Sequence, residues 1–202
     1  QGDVVAIVAP AKKIDETYIE RATRFLESHG LKVITGKNVL QAHHQFAGTD
    51  AQRVQDLNEA IANPNVKAIL CARGGYGTVR IVNQIDFSPL TSHPKYIIGF
   101  SDITVLHNHI HTHLGMETLH ATVPVNFPEA GTNENLKSLI HALFNGSTSY
   151  KVDPDPLNKP GKADGKLIGG NLAILESLTG TDSDIDTTGK ILFIEEVSEY
   201  AY

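Results

Sequence analysis

The sequence has almost no sulfur, no basic block and no long apolar run. Cys71 is its one cysteine, so no disulfide framework can form within the chain. It sits inside an apolar stretch, where a buried and inert thiol is expected. Lys and Arg number 17 against 23 Asp and Glu, for a net charge of −6. With the basic residues unclustered, a nucleic-acid partner is not expected. No apolar run approaches the ~18 residues of a membrane span, so no membrane partner is expected either. Internal repeats and low-complexity tracts are also absent. No signal peptide is visible, but the sequence opens on Gln1 rather than Met, so this end carries no judgement on targeting.

What remains is the composition of a globular chain. Its 202 residues, 41% hydrophobic and 20% charged, fit one large domain or one domain plus part of another. A chain of this length buries roughly 70% of its unfolded surface and needs no covalent staple. Val4 to Ala9 is a continuous apolar run stopped by Pro10, which reads as a buried strand. Ile14, Tyr18, Ile19, Ala22 and Leu26 recur at helical spacing up to Gly30. Leu31 to Thr35 is the next strand. Asp50 begins a helix with Val54, Leu57 and Ile61 on its inner face, closed by Asn63-Pro64-Asn65. Val66 to Ala72 is another buried strand, and Arg73-Gly74-Gly75-Tyr76-Gly77 a glycine-rich turn. A short helix is expected from Val79 to Ile85, then a strand from Tyr96, a helix from Ile103, a strand from Thr118 to Val123 and a helix from Asn133 to Phe144. The alternation predicts an α/β fold with a parallel sheet and helices on both faces. Residues 1–146 form this N-terminal domain. Residues 147–165, rich in Pro, Asp, Lys and Gly, read as a linker. Residues 166–202 read as the start of a smaller C-terminal domain, with a buried strand over Ile191 to Ile194.

In such a sheet, ligands sit beyond the C-terminal ends of the strands. Three features share that edge: the loop after Ala9, the glycine turn after Ala72, and Ser101. The last lies where the strand Tyr96-Ile97-Ile98-Gly99 turns into a helix. A sharp strand-to-helix corner displays its residue above the positive end of a helix dipole and can make a serine a nucleophile. The same residues also describe a plain N-cap serine followed by an acid in the first helical turn. The elbow lacks the second glycine of G-x-S-x-G, since Ile103 stands there. Gly74, Gly75 and Gly77 let backbone N–H groups converge into an anion nest, which near Ser101 could hold an oxyanion. A plain tight turn is the competing reading. Arg73 at the same edge suits a substrate carboxylate or a structural salt bridge equally. Glu195 and Glu196 end a strand, where one carboxylate could orient a catalytic histidine and both could be solvated acids. His107, His109, His111 and His113 give i, i+4 pairs that could hold a metal, but the pairs point apart and lack a third ligand.

The segments VAIVAPA, FAGTDAQRVQDL, ILCARGGYGTVRIV, GFSDIT, GKLIGGNLAIL and GKILFIEEVSEYAY occur in this order. Together they resemble the LD-carboxypeptidase family, serine peptidases that include murein tetrapeptide carboxypeptidases and microcin C self-immunity proteins. The resemblance covers nearly the whole chain. It implies a Ser-Glu-His triad with Ser101 as nucleophile and Glu195 as acid. It implies oxyanion donors from the amide of Gly75, or of Gly74, and from that of Asp102. Independently of the resemblance, Gly74 and Arg73 are expected to contact substrate. The implied reaction hydrolyses an amide bond near a free carboxylate, releasing terminal D-alanine from a murein tetrapeptide. Peptidyl-nucleotide amide hydrolysis of the microcin type is the alternative within the family, and a non-catalytic peptide-binding module the alternative outside it. No metal or organic cofactor is implied. The resemblance further implies a cytoplasmic protein with a peptide substrate, and it allows a homodimer. The family's triad histidine follows the acidic motif and matches no residue here, so the chain is expected to be a piece of a longer enzyme. The stretch Leu119 to Pro124 also departs from the His-Gly-Pro of many relatives, and His120 is given no catalytic role.

Overall fold

The computed structural model describes residues 2–146 and 148–197. The elements run β1 (Val4–Val8), α1 (Glu16–Ser28), β2 (Lys32–Thr35), α2 (Asp50–Ala62), β3 (Val66–Cys71), α3 (Pro89–Ser92), β4 (Tyr96–Gly99), α4 (Thr104–Leu114), β5 (Leu119–His120), α5 (Glu134–Asn145), β6 (Leu167–Asn171), α6 (Leu172–Leu178) and β7 (Ile191–Glu195). Five strands form one sheet in the order β2-β1-β3-β4-β5, with every neighbouring pair parallel. This is the expected α/β arrangement. Its inner strands β1, β3 and β4 read as largely apolar runs because both faces are covered, whereas the edge strand β2 is mostly exposed. Successive side chains then serve opposite cores. Val5, Ile7, Ala68 and Leu70 pack with α1 and α5, whereas Ala6, Val8, Ile69 and Cys71 pack with α2 and α4.

Local chemistry sets the helix starts. Thr49 and Gln52 form a reciprocal capping box at α2, and the Asn133 side chain accepts from the Leu136 N–H at α5. Strand order changes direction at β1, with β2 on one side and β3 on the other. The crevice between the C-terminal ends of β1 and β3 is therefore the switch point at which such sheets bind ligands.

Four details differ from the sequence expectations. The helix expected over Val79 to Ile85 is two 3-10 turns, Thr78–Arg80 and Val82–Gln84. The β-branched residues Thr78, Val79, Ile81, Val82 and Ile85 disfavour an α-helix there. The strand expected over Thr118 to Val123 is only Leu119–His120, because its one partner, β4, ends at Gly99 where the elbow begins. The turn of α3, opened by Pro89, was not anticipated. Finally β7, expected to be buried, leaves Leu192, Phe193 and Ile194 between 40% and 48% exposed. Among the described residues it pairs with β6 alone, in a separate two-stranded parallel sheet.

Residues 148–166 form no helix or strand. Beyond them, β6 is seated on α4. The Asn171 N–H donates to Thr104 Oγ1 at 3.1 Å. Gly170 lies so close that a Cβ there would meet Thr104 Oγ1 at 2.5 Å, so no larger residue fits. No helix among the described residues is long and apolar enough to cross a membrane.

Candidate active site

Ser101 occupies the corner between β4 and α4 with φ of 61°. Among the described residues, only His44 shares a positive φ without being glycine. Holding a serine in this left-handed region costs roughly 1–3 kcal/mol, which surrounding packing must over-determine. Here the packing is dense: Asp102, Ile103, Thr104, Val105 and Leu106 are all fully buried, while Ser101 itself is half-buried. Its side chain caps no helix. The N-cap reading left open by the sequence is therefore not the observed geometry.

The glycine turn lies against this corner. A Cβ on Gly74 would stand 3.0 Å from Ser101 Cβ, 3.2 Å from Ser101 Oγ and 3.3 Å from the Phe100 carbonyl. A bare α-carbon is what allows the turn to approach the hydroxyl. Gly75, at φ of 115°, is crossed by the aliphatic stem of Lys12 from the loop after β1. Neither the Gly75 amide nor the Asp102 amide makes a hydrogen bond among the described residues. Arg73 donates from Nη1 to the Lys13 carbonyl at 3.2 Å. It forms no ion pair among the described residues, so the salt-bridge alternative is not what the fold uses.

The carboxyl of Asp102 is buried beneath the turn. Its Oδ2 accepts from the Thr78 N–H at 2.9 Å and from Thr78 Oγ1–H at 2.6 Å, while Oδ1 is buried without a partner. Burial raises its pKa above the usual carboxylate range, and the Thr78 bonds and the Arg53 charge oppose that rise.

Glu195 reaches the site from the end of β7. Burial raises its pKa. The nearby Asn171 amide lowers it, the Glu196 charge raises it further, and the Ser101 N–H lowers it. Its Oε1 is buried and has no partner among the described residues. Glu196 faces differently: it accepts from the Asn171 amide, the Ala173 N–H and the Val197 N–H, and so anchors the start of α6. The adjacent acids thus face different partners, as alternation along a strand end requires.

The histidine run is divided among other partners. His107 Nε2–H donates to the Gly99 carbonyl at 2.9 Å, and burial takes its pKa down to about 4. His109 bonds Ser183 Oγ and His113 donates to the Asp182 carbonyl. Among the described residues no three His, Cys, Asp or Glu side chains converge as metal ligands would. His120 stacks among Phe100, His107 and Phe193, with no hydrogen bond to Ser101 or Glu195 among the described residues. His120 is exposed, and the desolvation its ring neighbours impose lowers its pKa.

Sequence reasoning passed over Arg53, Thr78 and Asn171. Arg53 had a signal: it stands in the i, i+4, i+8 row with Leu57 and Ile61, the inner face of α2.

Residues 5–121 match the model of the LD-carboxypeptidase N-terminal domain, and residues 164–202 that of the LD-carboxypeptidase C-terminal domain. The chain belongs to the LD-carboxypeptidase family. Within that family it is 42% identical to a probable murein peptide carboxypeptidase of Bacillus subtilis, over all of this chain and 65% of that protein. It is 27% identical to the microcin C7 self-immunity protein MccF of Escherichia coli, over 93% of this chain and 64% of that one. Among solved structures, the muramoyltetrapeptide carboxypeptidase of Oxalobacter formigenes superposes with a TM-score of 0.87 at 30% identity, covering 97% of this chain and 66% of that one. This LD-carboxypeptidase chain thus spans just under two thirds of the length of these relatives.

Proposed function

We propose that this chain carries the nucleophile, the acid and the oxyanion donors of a serine-type carboxypeptidase that cleaves an L,D amide bond and releases terminal D-alanine from a murein tetrapeptide. One observation carries the reading: Ser101 is held at φ of 61° with its hydroxyl against the bare α-carbon of Gly74. Ser101 Oγ bonds to the scissile carbonyl carbon, and the carbonyl oxygen becomes an oxyanion that accepts from the Gly75 and Asp102 amides. The Ser101 proton passes to the histidine that the family resemblance places after the acidic motif, outside these 202 residues. Glu195, with one buried oxygen unpartnered, accepts the far N–H of that imidazole and offsets the charge it gains. Collapse of the adduct breaks the C–N bond, and the histidine returns its proton to the leaving D-alanine amine. Water then repeats the sequence on the acyl-serine. Arg73 pairs with the substrate's terminal carboxylate. The relatives named as murein and muramoyltetrapeptide carboxypeptidases support this substrate class.

A peptidyl-nucleotide amide is the second reading, supported by the microcin self-immunity relative. It uses the same residues on a different leaving group. Side-by-side turnover of the two substrates by the full-length protein separates them.

For the catalytic reading, the test is intact-mass analysis of the full-length protein after fluorophosphonate treatment, together with D-alanine release from murein tetrapeptide. The expected outcome is one adduct on Ser101, and at least about a 10³-fold loss of turnover in Ser101→Ala. A wild-type protein with neither adduct nor D-alanine release overturns the peptidase reading. Peptide affinity unchanged by Ser101→Ala, with no hydrolysis, would place the chain among binding modules.

A further inference from the structure

The second half of the glycine turn is held from below by two buried charged side chains. From the elbow side, Asp102 Oδ2 takes both the backbone N–H and the hydroxyl of Thr78, at 2.9 Å and 2.6 Å. From the α2 side, the wholly buried Arg53 donates from Nη1 to the Gly77 carbonyl at 2.9 Å and to the Pro10 carbonyl in the loop after β1. Arg53 is fixed in turn by Asp50 through Nη2 and by the Phe46 ring, 4.9 Å beneath its guanidinium. Residues 77 and 78 are therefore pinned, whereas Gly74 lies against Ser101 and Gly75 follows it under the Lys12 stem.

The choice of an acid at 102 is costly. The side chain is 0% exposed, and its Oδ1 is buried without a partner. An orphaned carboxylate oxygen costs stability that a neutral residue of the same size would not forfeit. What the acid supplies is a charge-assisted acceptor, which makes shorter and stronger bonds than a neutral one. Its recipient is the segment that carries one proposed oxyanion amide, at Gly75. The other proposed amide is Asp102's own. One residue thus joins the two donors mechanically.

We infer that the Asp102 carboxylate is a positioning residue, which clamps Thr78 so that the Gly75 and Asp102 amides converge on one oxyanion. This rests on the proposed peptidase reading, in which those amides are the donors. Oxyanion stabilisation acts on the transition state and not on ground-state binding, so loosening the clamp lowers kcat and spares KM. A residue that only supported the fold would lower apparent kcat in proportion to the folded fraction, so turnover is counted per folded molecule.

The experiment measures D-alanine release from murein tetrapeptide by the full-length protein and three variants, with the fluorophosphonate adduct on wild type as reference. Asp102→Asn is expected to lower kcat about 100-fold, the penalty of a small misplacement of catalytic groups. Thr78→Val deletes one hydrogen bond at constant volume and is expected to lower kcat roughly tenfold. Thr78→Ser keeps the hydroxyl and is expected to stay within about twofold of wild type, with KM within about twofold throughout. The double variant Asp102→Asn/Thr78→Val is expected to be no worse than Asp102→Asn alone, since both break one link. The clamp is overturned by unchanged kcat in Thr78→Val, by equal losses in Thr78→Ser and Thr78→Val, or by losses that multiply in the double variant. Where Asp102→Asn does not fold, the two Thr78 variants decide. A wild type that neither labels nor turns over sinks the peptidase reading and the clamp together, whereas an active wild type matched by its variants sinks the clamp alone.

Discussion

Strands β3 and β7 are built from the same kind of residue and meet opposite surroundings. β3 runs between β1 and β4 with helices on both faces, and Ile69 and Leu70 are 0% and 1% exposed. β7 has one neighbour, and its Leu192 and Ile194 are 45% and 48% exposed. An apolar run records that a segment gains from cover, and the number of layers around it decides whether it receives any. Helix α4 joins the two regions and divides its histidines between them. His107 turns into the five-stranded sheet, whereas His109 and His113 reach the loop between α6 and β7.

The largest effect expected from this contrast lies in β3. Truncating Ile69 to Ala leaves a cavity between two close-packed layers and is expected to cost about 4 kcal/mol. Urea unfolding at matched slope measures it. A cost below about 1 kcal/mol would show that the centre of the sheet relaxes as freely as its margin.

His107 gives the next effect, through pH. Burial takes its pKa from 6.5 to about 4 in the folded chain. Between those values the unfolded state binds a proton that the folded state refuses, so stability rises with pH across that window. The contribution is fully present above pH 6.5 and is lost as pH falls toward 4. It amounts to about 3 kcal/mol at full burial. The His107→Gln variant lacks it, so the stability gap between wild type and variant is expected to shift by that amount between pH 7 and pH 4. A constant gap would mean that this imidazole is reached by water.

These two sites also mark how far the sequence could be read. The inner strands β1, β3 and β4 were legible because burial on both faces leaves a largely apolar signature, and α2 because Val54, Leu57 and Ile61 recur at helical spacing. Ser101 was visible as a corner residue, since Gly99 ends a strand just before a helical pattern. Its left-handed backbone was not visible, because the turn it lies against, at Gly74, is far back in the chain. The Asp102–Thr78 link spans 24 residues, and nothing in either neighbourhood announces it. Arg53 was hidden by its charge: its row on α2 is apolar, and the reading followed the apolar members. β7 was misread for the converse reason, since its residues invite cover that only β6 provides.

The smallest effect tests that last point. Leu192→Ser removes apolar surface that is already nearly half in water, so the expected cost in the 202-residue chain is about 1 kcal/mol or less. The same change in β3 would bury an unpartnered hydroxyl as well as open a cavity, and two penalties would add. A cost of several kcal/mol at Leu192 would therefore mean that the exposed strand is covered in solution. If that cost then grew with protein concentration, the cover would be a second copy of the chain, because only association makes apparent stability depend on concentration. A cost that stayed small and concentration-independent would leave β7 as a strand whose apolar face contributes little to holding this chain folded.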